Sequence, residues 1–351
     1  MNNETKTLII LTPGFPANEA DTSCIPPQQI FVKALKKNDP SLQIIVLAFQ
    51  YPFEEKKYKW HGVDVISFNG RNKGKLRRAM VWREVWQTLK KIKKENNVTG
   101  MLNFWLGECA LIGKYFSKRN GLKQFTWILG QDAKKGNRYF GLINPKPETL
   151  IAVSDFVCDE LLKNYNIKPS HVIPVGVDVS MFSAEQYTRD IDVMGAGSLI
   201  SLKKYDVFIK IIKELRSTFP DIHSVICGEG EEKEKLQAQI NDSGLGKNIT
   251  LLGEVPHLEV ISLMQRSKIF LHTSAYEGFG SVFSEALFAG CQVISFCKPM
   301  HKNFEHHHIV TSDSEMEKKA LEIMKDQNVS HAAVLNYSIE DIAQQVKDLF
   351  N

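Results

Sequence analysis

The sequence has no C-x-x-C pair, no H-E-x-x-H motif and no other spacing typical of a metal site. Its six cysteines stand far apart, which predicts reduced and mostly buried thiols rather than a disulfide framework. No apolar run is long enough to cross a bilayer, and the first one, in "MNNETKTLIILTPGFP", is too short for a membrane span or an export signal. We therefore expect a cytoplasmic chain.

Three adjacent histidines, His306–His308, are the one feature that resembles a metal cluster. Neighbouring residues of an extended segment point to alternate faces, so these side chains cannot all reach one ion, and a solvated loop is favoured. No Ser-His-Asp order can be assembled, and internal repeats and low-complexity segments are also missing. The sequence predicts neither a metal nor another cofactor.

Strand-like and helix-like runs alternate almost throughout the 351 residues, which predicts parallel sheets covered by helices. The stretch "IPVGVDVSMFSAEQYTRD" has no sustained period and marks the boundary between two α/β domains that meet across a cleft. The predicted domains are residues 1–173 and 190–335, with a linker at 174–189. A last helix, in residues 336–351, is a candidate to pack back on the first domain.

Charge is distributed unevenly along the chain. The residues up to Ser170 carry a net charge of +12 and the remainder carries −8, within a total of +4. Ten basic residues face a single acid, Glu84, within Arg71–Lys94, where apolar residues recur at helical spacing. This amphipathic helix is interpreted either as a core-packed helix with a solvated back, or as a face for anionic lipid or a phosphorylated acceptor.

The most informative stretch is "YEGFGSVFSEAL", which follows the strand-like "KIFLHTS" and runs into a helix that ends at Gly290. A helix that begins near Ser281 leaves the amides of Phe279, Gly280 and Ser281 without partners, and its dipole attracts a phosphate. Gly278 and Gly280 let the backbone approach closely. The alternative is a plain strand-to-helix turn.

Two glutamates flank this turn. Glu285 lies about one turn into the helix, where its carboxylate can accept hydrogen bonds from a diol, and Glu277 lies on the other side of the anion site. The pair could hold hydroxyls on both sides of a diphosphate, which is the layout of a sugar nucleotide. The alternative for Glu285 is an ordinary dipole-favoured residue of the first helical turn.

A second glycine-rich turn occurs in "VMGAGSLISLKKYDVF". Its spacing invites a dinucleotide interpretation of the G-x-G-x-x-G kind, but Ile200 stands where the third glycine belongs. Lys203 and Lys204 open the next helix, where they would add positive charge for a diphosphate, or else are solvated lysines.

Three further loops are candidate ligand contacts. In "CGEGEEKEKL" the glutamates would repel a pyrophosphate, so the backbone at Gly230 suits a base or a ribose better. Gly14, between two prolines at the end of the first strand, could reach a ligand across the cleft, or mark a plain turn. Asp132 follows another strand and could bond a sugar hydroxyl, or cap a helix.

Together these motifs resemble the retaining glycosyltransferases of family 4, which have the GT-B fold of two facing Rossmann-like domains. The resemblance spans nearly the whole chain, through "PGFP", "HVIPVGVD", "GAGSLISLKKYDVFI", "LLGEVP" and above all "EGFGSVFSE". It implies that Glu285 holds the ribose, Glu277 holds the donor sugar, and Lys203 with the amides near Gly280 neutralises the diphosphate. The remaining implied contacts are Gly14 from the first domain, Gly230 and Val255 near the base, and Asp132 near the sugar.

Three positions depart from the family pattern. Ser198 stands where many members have Arg, so Lys203 or Lys204 must compensate for a missing phosphate cation. Leu129 replaces a common histidine and Val175 a common asparagine. These departures bear on the strength of donor binding and on the rate rather than on the fold.

The function that the resemblance implies is the transfer of a sugar, with retention and without a metal, from a UDP- or GDP-sugar to a glycan or lipid-linked acceptor in cell-surface glycan synthesis. We expect a cytoplasmic location, with Arg71–Lys94 as a candidate for peripheral contact with the inner face of the membrane and no nucleic-acid partner. The alternatives are a catalytically weak sugar-nucleotide-binding protein of the same fold and a nicotinamide-dependent oxidoreductase.

Overall fold

The computed structural model describes residues 5–185 and 187–351, so Gln186 of the predicted linker and residues 1–4 of the predicted first domain lie outside it. The described chain forms two compact units. The first runs to Gly176 and also takes in Ile339–Asn351, and the second is Val177–Ser338. The structure therefore assigns most of the segment predicted as a linker to the second unit.

The first unit contains an eight-stranded sheet in the order β3-β4-β2-β1-β5-β6-β7-β8, in which only β3 pairs antiparallel. Its strands are β1 (Lys6–Gly14), β2 (Gln43–Tyr51), β3 (Glu55–Trp60), β4 (Val63–Phe68), β5 (Asn97–Phe104), β6 (Lys123–Ile128), β7 (Leu150–Ala152) and β8 (His171–Val172). Its first five helices are α1 (Pro26–Asn38), α2 (Lys75–Glu95), α3 (Glu108–Asn120), α4 (Arg138–Ile143) and α5 (Asp155–Tyr165).

The second unit contains a parallel six-stranded sheet in the order β11-β10-β9-β12-β13-β14. Its strands are β9 (Ile191–Ala196), β10 (Ser224–Cys227), β11 (Ile249–Gly253), β12 (Ser267–His272), β13 (Gln292–Ser295) and β14 (His307–Ile309). Its helices are α6 (Tyr205–Arg216), α7 (Lys233–Asp242), α8 (His257–Gln265), α9 (Ser281–Phe288) and α10 (Asp313–Lys325).

Both units are Rossmann-like, as the alternating pattern predicts. Counted from its own first strand, the second sheet has the order 3-2-1-4-5-6, and the strand order reverses between β9 and β12. The central strands are buried on both faces, as in "TLIIL" of β1, where every residue from Thr7 to Leu11 is buried. Continuous apolar runs of this kind are what helix-covered parallel strands require.

The last helix, α11 (Ile339–Asp348), belongs to the first unit and packs against α1. Its apolar face is buried through Ile339, Ile342, Ala343 and Val346. Lys347 pairs with Asp39 at the end of α1, at 3.0 Å between Nζ and Oδ2. The ring of Phe350, beyond the helix, stands edge-on to Phe125 at 5.2 Å between centroids. These contacts make the end of the chain part of the first unit's core.

The segment His306–His308, which was expected to be a solvated loop, is partly a strand in the structure. His307 and His308 are not in a solvated loop, because β14 pairs with the edge of β13 and orders the backbone. The alternation of side chains is nevertheless as expected for an extended segment: His307 Nε2 lies 2.8 Å from Ser295 Oγ, whereas His308 Nε2 lies 2.8 Å from Gln292 Oε1. Within the described residues, no group of three or more His, Cys, Asp or Glu side chains could hold a metal ion.

We expect Ile342→Ala to lower the free energy of unfolding of the first unit by about 2–4 kcal/mol, because the substitution leaves a cavity between α11 and α1. All five tryptophans lie in this unit, so their fluorescence during urea unfolding reports on it alone. Gln345→Ala, at an exposed position of the same helix, is the control and should change little. Equal effects of the two substitutions would contradict the assignment of α11 to this core.

Candidate functional site

The turn between β12 and α9 lies at the carboxyl end of the second sheet. Gly280 precedes the helix with φ of 71°, and a Cβ there would lie 2.6 Å from the ring of Phe283. Only glycine adopts this conformation readily and fits against the ring. Helix α9 begins at Ser281 as predicted, so its first amides have no partner within the helix and can bind an anion.

Glu277 precedes this turn and contacts two basic groups. Its carboxylate forms an ion pair with Lys203 Nζ, and its Oε1 lies 3.3 Å from Nε2 of the buried His272. Both members of the Lys203–Glu277 pair are largely shielded, with side chains 19% and 17% exposed. The structure therefore brings together two residues that the sequence singled out separately.

The charges around Glu277 determine its protonation. Burial by itself raises the pKa of this carboxyl, but the contacts with His272 and the Lys203 ammonium outweigh burial and lower it to about 2. Burial lowers the pKa of His272, against the opposing influence of Glu277. The carboxylate of Glu277 is therefore ionised at neutral pH and holds its cationic neighbour in place.

The sequence predicted that Lys203 and Lys204 open a helix, and this prediction is wrong. Ser201–Lys203 form a 3-10 turn, Lys204 adopts a left-handed conformation with φ of 50°, and α6 begins only at Tyr205. The reason is that the turn is anchored to the β12 loop, where Thr273 Oγ1 donates to the Lys203 carbonyl at 2.7 Å. This anchoring directs Lys203 towards Glu277 and leaves Lys204 exposed.

Glu285 lies on the buried face of α9, and its side chain is 10% exposed. Its Oε1 is 3.0 Å from Nε2 of His257, the first residue of α8. Neither His257 nor His272 was predicted as a site residue. Their positions in the sequence could have indicated them. His272 ends the strand before the glycine-rich turn, and His257 stands at a predicted strand-to-helix junction.

The glycines of the neighbouring loops are required by protein packing. A Cβ on Gly228 would overlap the carbonyl oxygen of Gly197, and a Cβ on Gly230 would overlap that of Leu199. The amide of Leu199 also donates to the Glu229 carbonyl at 2.9 Å. The loops after β9 and β10 are thus packed backbone to backbone. Of the other predicted contacts in this unit, Ser198 is exposed in the first of these loops and Val255 is half-buried after β11.

Two predicted residues belong to the first unit. Gly14 ends β1, where its carbonyl accepts a hydrogen bond from Thr12 Oγ1 at 2.7 Å. Asp132 lies inside the 3-10 turn Gln131–Ala133, and its oxygens accept from the amides of Leu106 at 2.7 Å, Gly130 at 2.9 Å and Leu129 at 3.1 Å. Burial raises the pKa of Asp132, while these amides act in the opposite direction. Asp132 is therefore not the helix cap of the alternative interpretation, because the N-cap residue of its turn is Gly130; it joins the loop after β6 to the loop before α3.

Comparisons with known proteins agree with this geometry. Residues 178–345 match the family model described as glycosyl transferases group 1. A component of the human phosphatidylinositol N-acetylglucosaminyltransferase is 32% identical over 126 residues, covering 35% of this chain and 26% of that protein. The 2-deoxystreptamine N-acetyl-D-glucosaminyltransferase of Niallia circulans is 29% identical over 103 residues, covering 29% of this chain and 26% of that protein. The chain spans about a quarter of the length of these relatives.

A solved structure extends the likeness to the whole chain. The Anabaena protein HepE, crystallised in complex with UDP and glucose, superposes with a TM-score of 0.71 at 15% identity and covers 99% of both chains. At this identity the likeness establishes the fold, which is GT-B. In the part of the chain that the structure describes, we find no helix that is long and apolar enough to span a membrane.

We expect the ionised Glu277 to stabilise the second unit in a pH-dependent manner. The pKa of Glu277 is about 2 in the folded chain and ordinarily near 4.5. Its contribution to the free energy of unfolding is therefore complete above pH 4.5 and is lost as the pH falls towards 2. The difference in unfolding free energy between wild type and Glu277→Gln should therefore be roughly 2–3 kcal/mol at pH 6 and shrink between pH 4.5 and 3.

Urea unfolding followed by circular dichroism measures this difference at each pH. Glu229→Gln is the matched control, because Glu229 is paired with Lys233 at 2.8 Å in the same unit but is 47% exposed and should contribute less than about 0.5 kcal/mol. A difference for Glu277→Gln that stays constant across this pH range would contradict the lowered pKa.

Proposed function

Because the chain belongs to the glycosyl transferases group 1 family through residues 178–345, we propose that it transfers a sugar, with retention and without a metal, from a UDP- or GDP-sugar. The observation that carries the proposal is the placement of Glu277, Lys203 and Glu285 around one helix N-terminus in a single unit. The proposed acceptor is a glycan or a lipid-linked glycan of the cell surface. A UDP-sugar is the favoured donor, since the similar HepE structure holds UDP.

The proposed roles follow from charge and position. The diphosphate binds at the free amides of Gly280 and Ser281, where Lys203 adds a full positive charge. Glu285 accepts hydrogen bonds from the ribose, and Glu277 accepts them from hydroxyls of the donor sugar. Further donor contacts are proposed from Gly278, Phe279, Lys204, Ser198, Gly230 and Val255 of the same unit.

The transfer step needs little more than fixed charge. The bond between the anomeric carbon and the diphosphate oxygen breaks, and the acceptor oxygen bonds to the same face of that carbon. The acceptor proton passes to an oxygen of the leaving diphosphate. Negative charge gathers on the diphosphate during this step, and the fixed amides with the Lys203 ammonium stabilise it without reorganisation.

We expect Glu285→Ala to lower the affinity for UDP or GDP about 10- to 100-fold and to abolish measurable transfer, because two hydrogen bonds to a charged group are lost. Isothermal titration with UDP and GDP, with thermal shifts against their sugar conjugates, measures the loss. Glu259→Ala, at an exposed glutamate of α8, is the control and should leave binding unchanged.

The outcomes separate the candidate functions. Unchanged donor turnover by Glu285→Ala would overturn the proposed site. Saturable binding by wild type without turnover of any acceptor would favour the non-catalytic binding protein, for which the exposed Ser198 at the usual arginine position is the motivation. Stabilisation by NAD but by no UDP or GDP compound would favour the oxidoreductase.

The basic helix α2 supports a proposal about the membrane. Its inner face, with Val81, Val85, Leu89 and Ile92, is buried in the core, so the core-packing interpretation holds for that face. Leu76 and Met80 lie one turn apart and are 85% and 53% exposed. Lys73, Lys75 and Arg83 are exposed within three residues of Leu76 or Met80 in the sequence, and Lys90 is exposed further along the helix. Apolar side chains among cations are typical of contact with an anionic bilayer.

We expect the protein to sediment with vesicles that contain anionic phosphatidylglycerol, less as salt rises, and not with neutral phosphatidylcholine vesicles. Leu76→Asp should reduce the bound fraction several-fold, because it removes an apolar contact and adds a repelled charge. Leu142→Asp is the matched control, since Leu142 is 56% exposed elsewhere in the same unit. No binding at low salt would refute the proposed surface without affecting the transfer activity.

A further inference from the structure

We propose that His257 is a positioning residue of the donor site, which orients the carboxylate of Glu285 towards the ribose hydroxyls. The inference rests on the proposed function, in which Glu285 binds the ribose. It assigns a role to a side chain that touches the glutamate but need not touch the nucleotide.

The contact itself is short and shielded. Nε2 of His257 lies 3.0 Å from Oε1 of Glu285, and the two side chains are only 14% and 10% exposed. A carboxylate can only accept hydrogen bonds, so the imidazole donates its Nε2 proton. Away from water, a hydrogen bond to an ionised group is among the stronger contacts that a side chain makes, and it fixes direction as well as distance.

The position of His257 is set by the chain around it. It is the first residue of α8, and the amides of Glu259 and Val260 bond to the carbonyl of the preceding Pro256 at 2.9 and 3.1 Å. This closed first turn fixes the start of the helix. Helices α8 and α9 also pack against each other, so the imidazole and the carboxylate come from two helices whose relative position is fixed by packing. Val255, the proposed base contact, lies two residues before His257.

The consequence for binding follows from the number of acceptor sites on a carboxylate. With Oε1 engaged by His257, Oε2 keeps two lone pairs for a ligand, and these suit neighbouring hydroxyls such as those of a ribose. Without the imidazole the carboxylate can rotate, and the entropy lost when a ligand orders it weakens binding. A nucleotide that lacks both ribose hydroxyls should be insensitive to this loss.

The test compares UDP with 2′,3′-dideoxy-UDP by isothermal titration, with the corresponding guanine pair in parallel. Wild type should prefer the ribonucleotide. His257→Ala should weaken UDP binding about tenfold and leave dideoxy-UDP binding unchanged. His257→Gln, whose Nε2 is also a donor, should restore most of the preference. In a Glu285→Ala background, His257→Ala should have no further effect.

The matched control is His331→Ala, which removes an imidazole bonded at 2.8 Å to the Gly290 carbonyl in the same unit, without altering the Glu285 carboxylate. An equal loss for both nucleotides, or a preference that survives in His257→Ala while Glu285→Ala abolishes it, would overturn the positioning role and leave the proposed function standing. Failure of wild type to bind either UDP or GDP would overturn both proposals.

Discussion

The ion pair between Lys203 and Glu277 is the contact on which the geometry of the second unit's carboxyl edge depends. It joins the turn after β9 to the turn after β12, and these are the neighbouring strands at which the sheet order reverses. The Ala275 amide adds a bond to the Leu202 carbonyl at 3.0 Å. The two turns are therefore one body, and the free end of α9 is fixed with it. A ligand at this switch point meets a preformed edge.

A shielded ion pair is a costly way to hold two loops together. Removing both charges from water opposes much of their attraction, and apolar side chains of similar size would often stabilise the fold as well or better. The pair is easier to understand with an anion beside it. A diphosphate would place the Lys203 ammonium between two negative groups, and Glu277 then keeps the cation in position before the ligand arrives. The buried His272 beneath Glu277 limits the movement of that carboxylate.

The sequence predicted those features that follow from periodicity and from helix ends. Parallel sheets, the start of α9 and the burial pattern of the central strands all depend on local pattern, and the structure has them. Features that depend on contacts between distant segments were missed. Lys203 lies 74 positions from Glu277 in the chain, and His257 lies 28 from Glu285. Nothing in local spacing states which side chains will meet. Asp132 shows the same limit, since its partner Leu106 belongs to another loop.

Glycine-rich loops and net charge are both weak guides to where the donor binds. Gly228 and Gly230 are required by the carbonyls of the adjacent loop, so their spacing carries little information about a ligand. The chain after Ser170 has a net charge of −8, which opposes an anionic nucleotide at long range. At physiological salt that field is screened beyond about 8 Å. A diphosphate at the proposed site would therefore be attracted mainly by groups within that distance, such as the Lys203 ammonium and the first amides of α9. At the proposed site the Lys203 ammonium offsets the charge of Glu277, which reduces the repulsion between that carboxylate and a diphosphate.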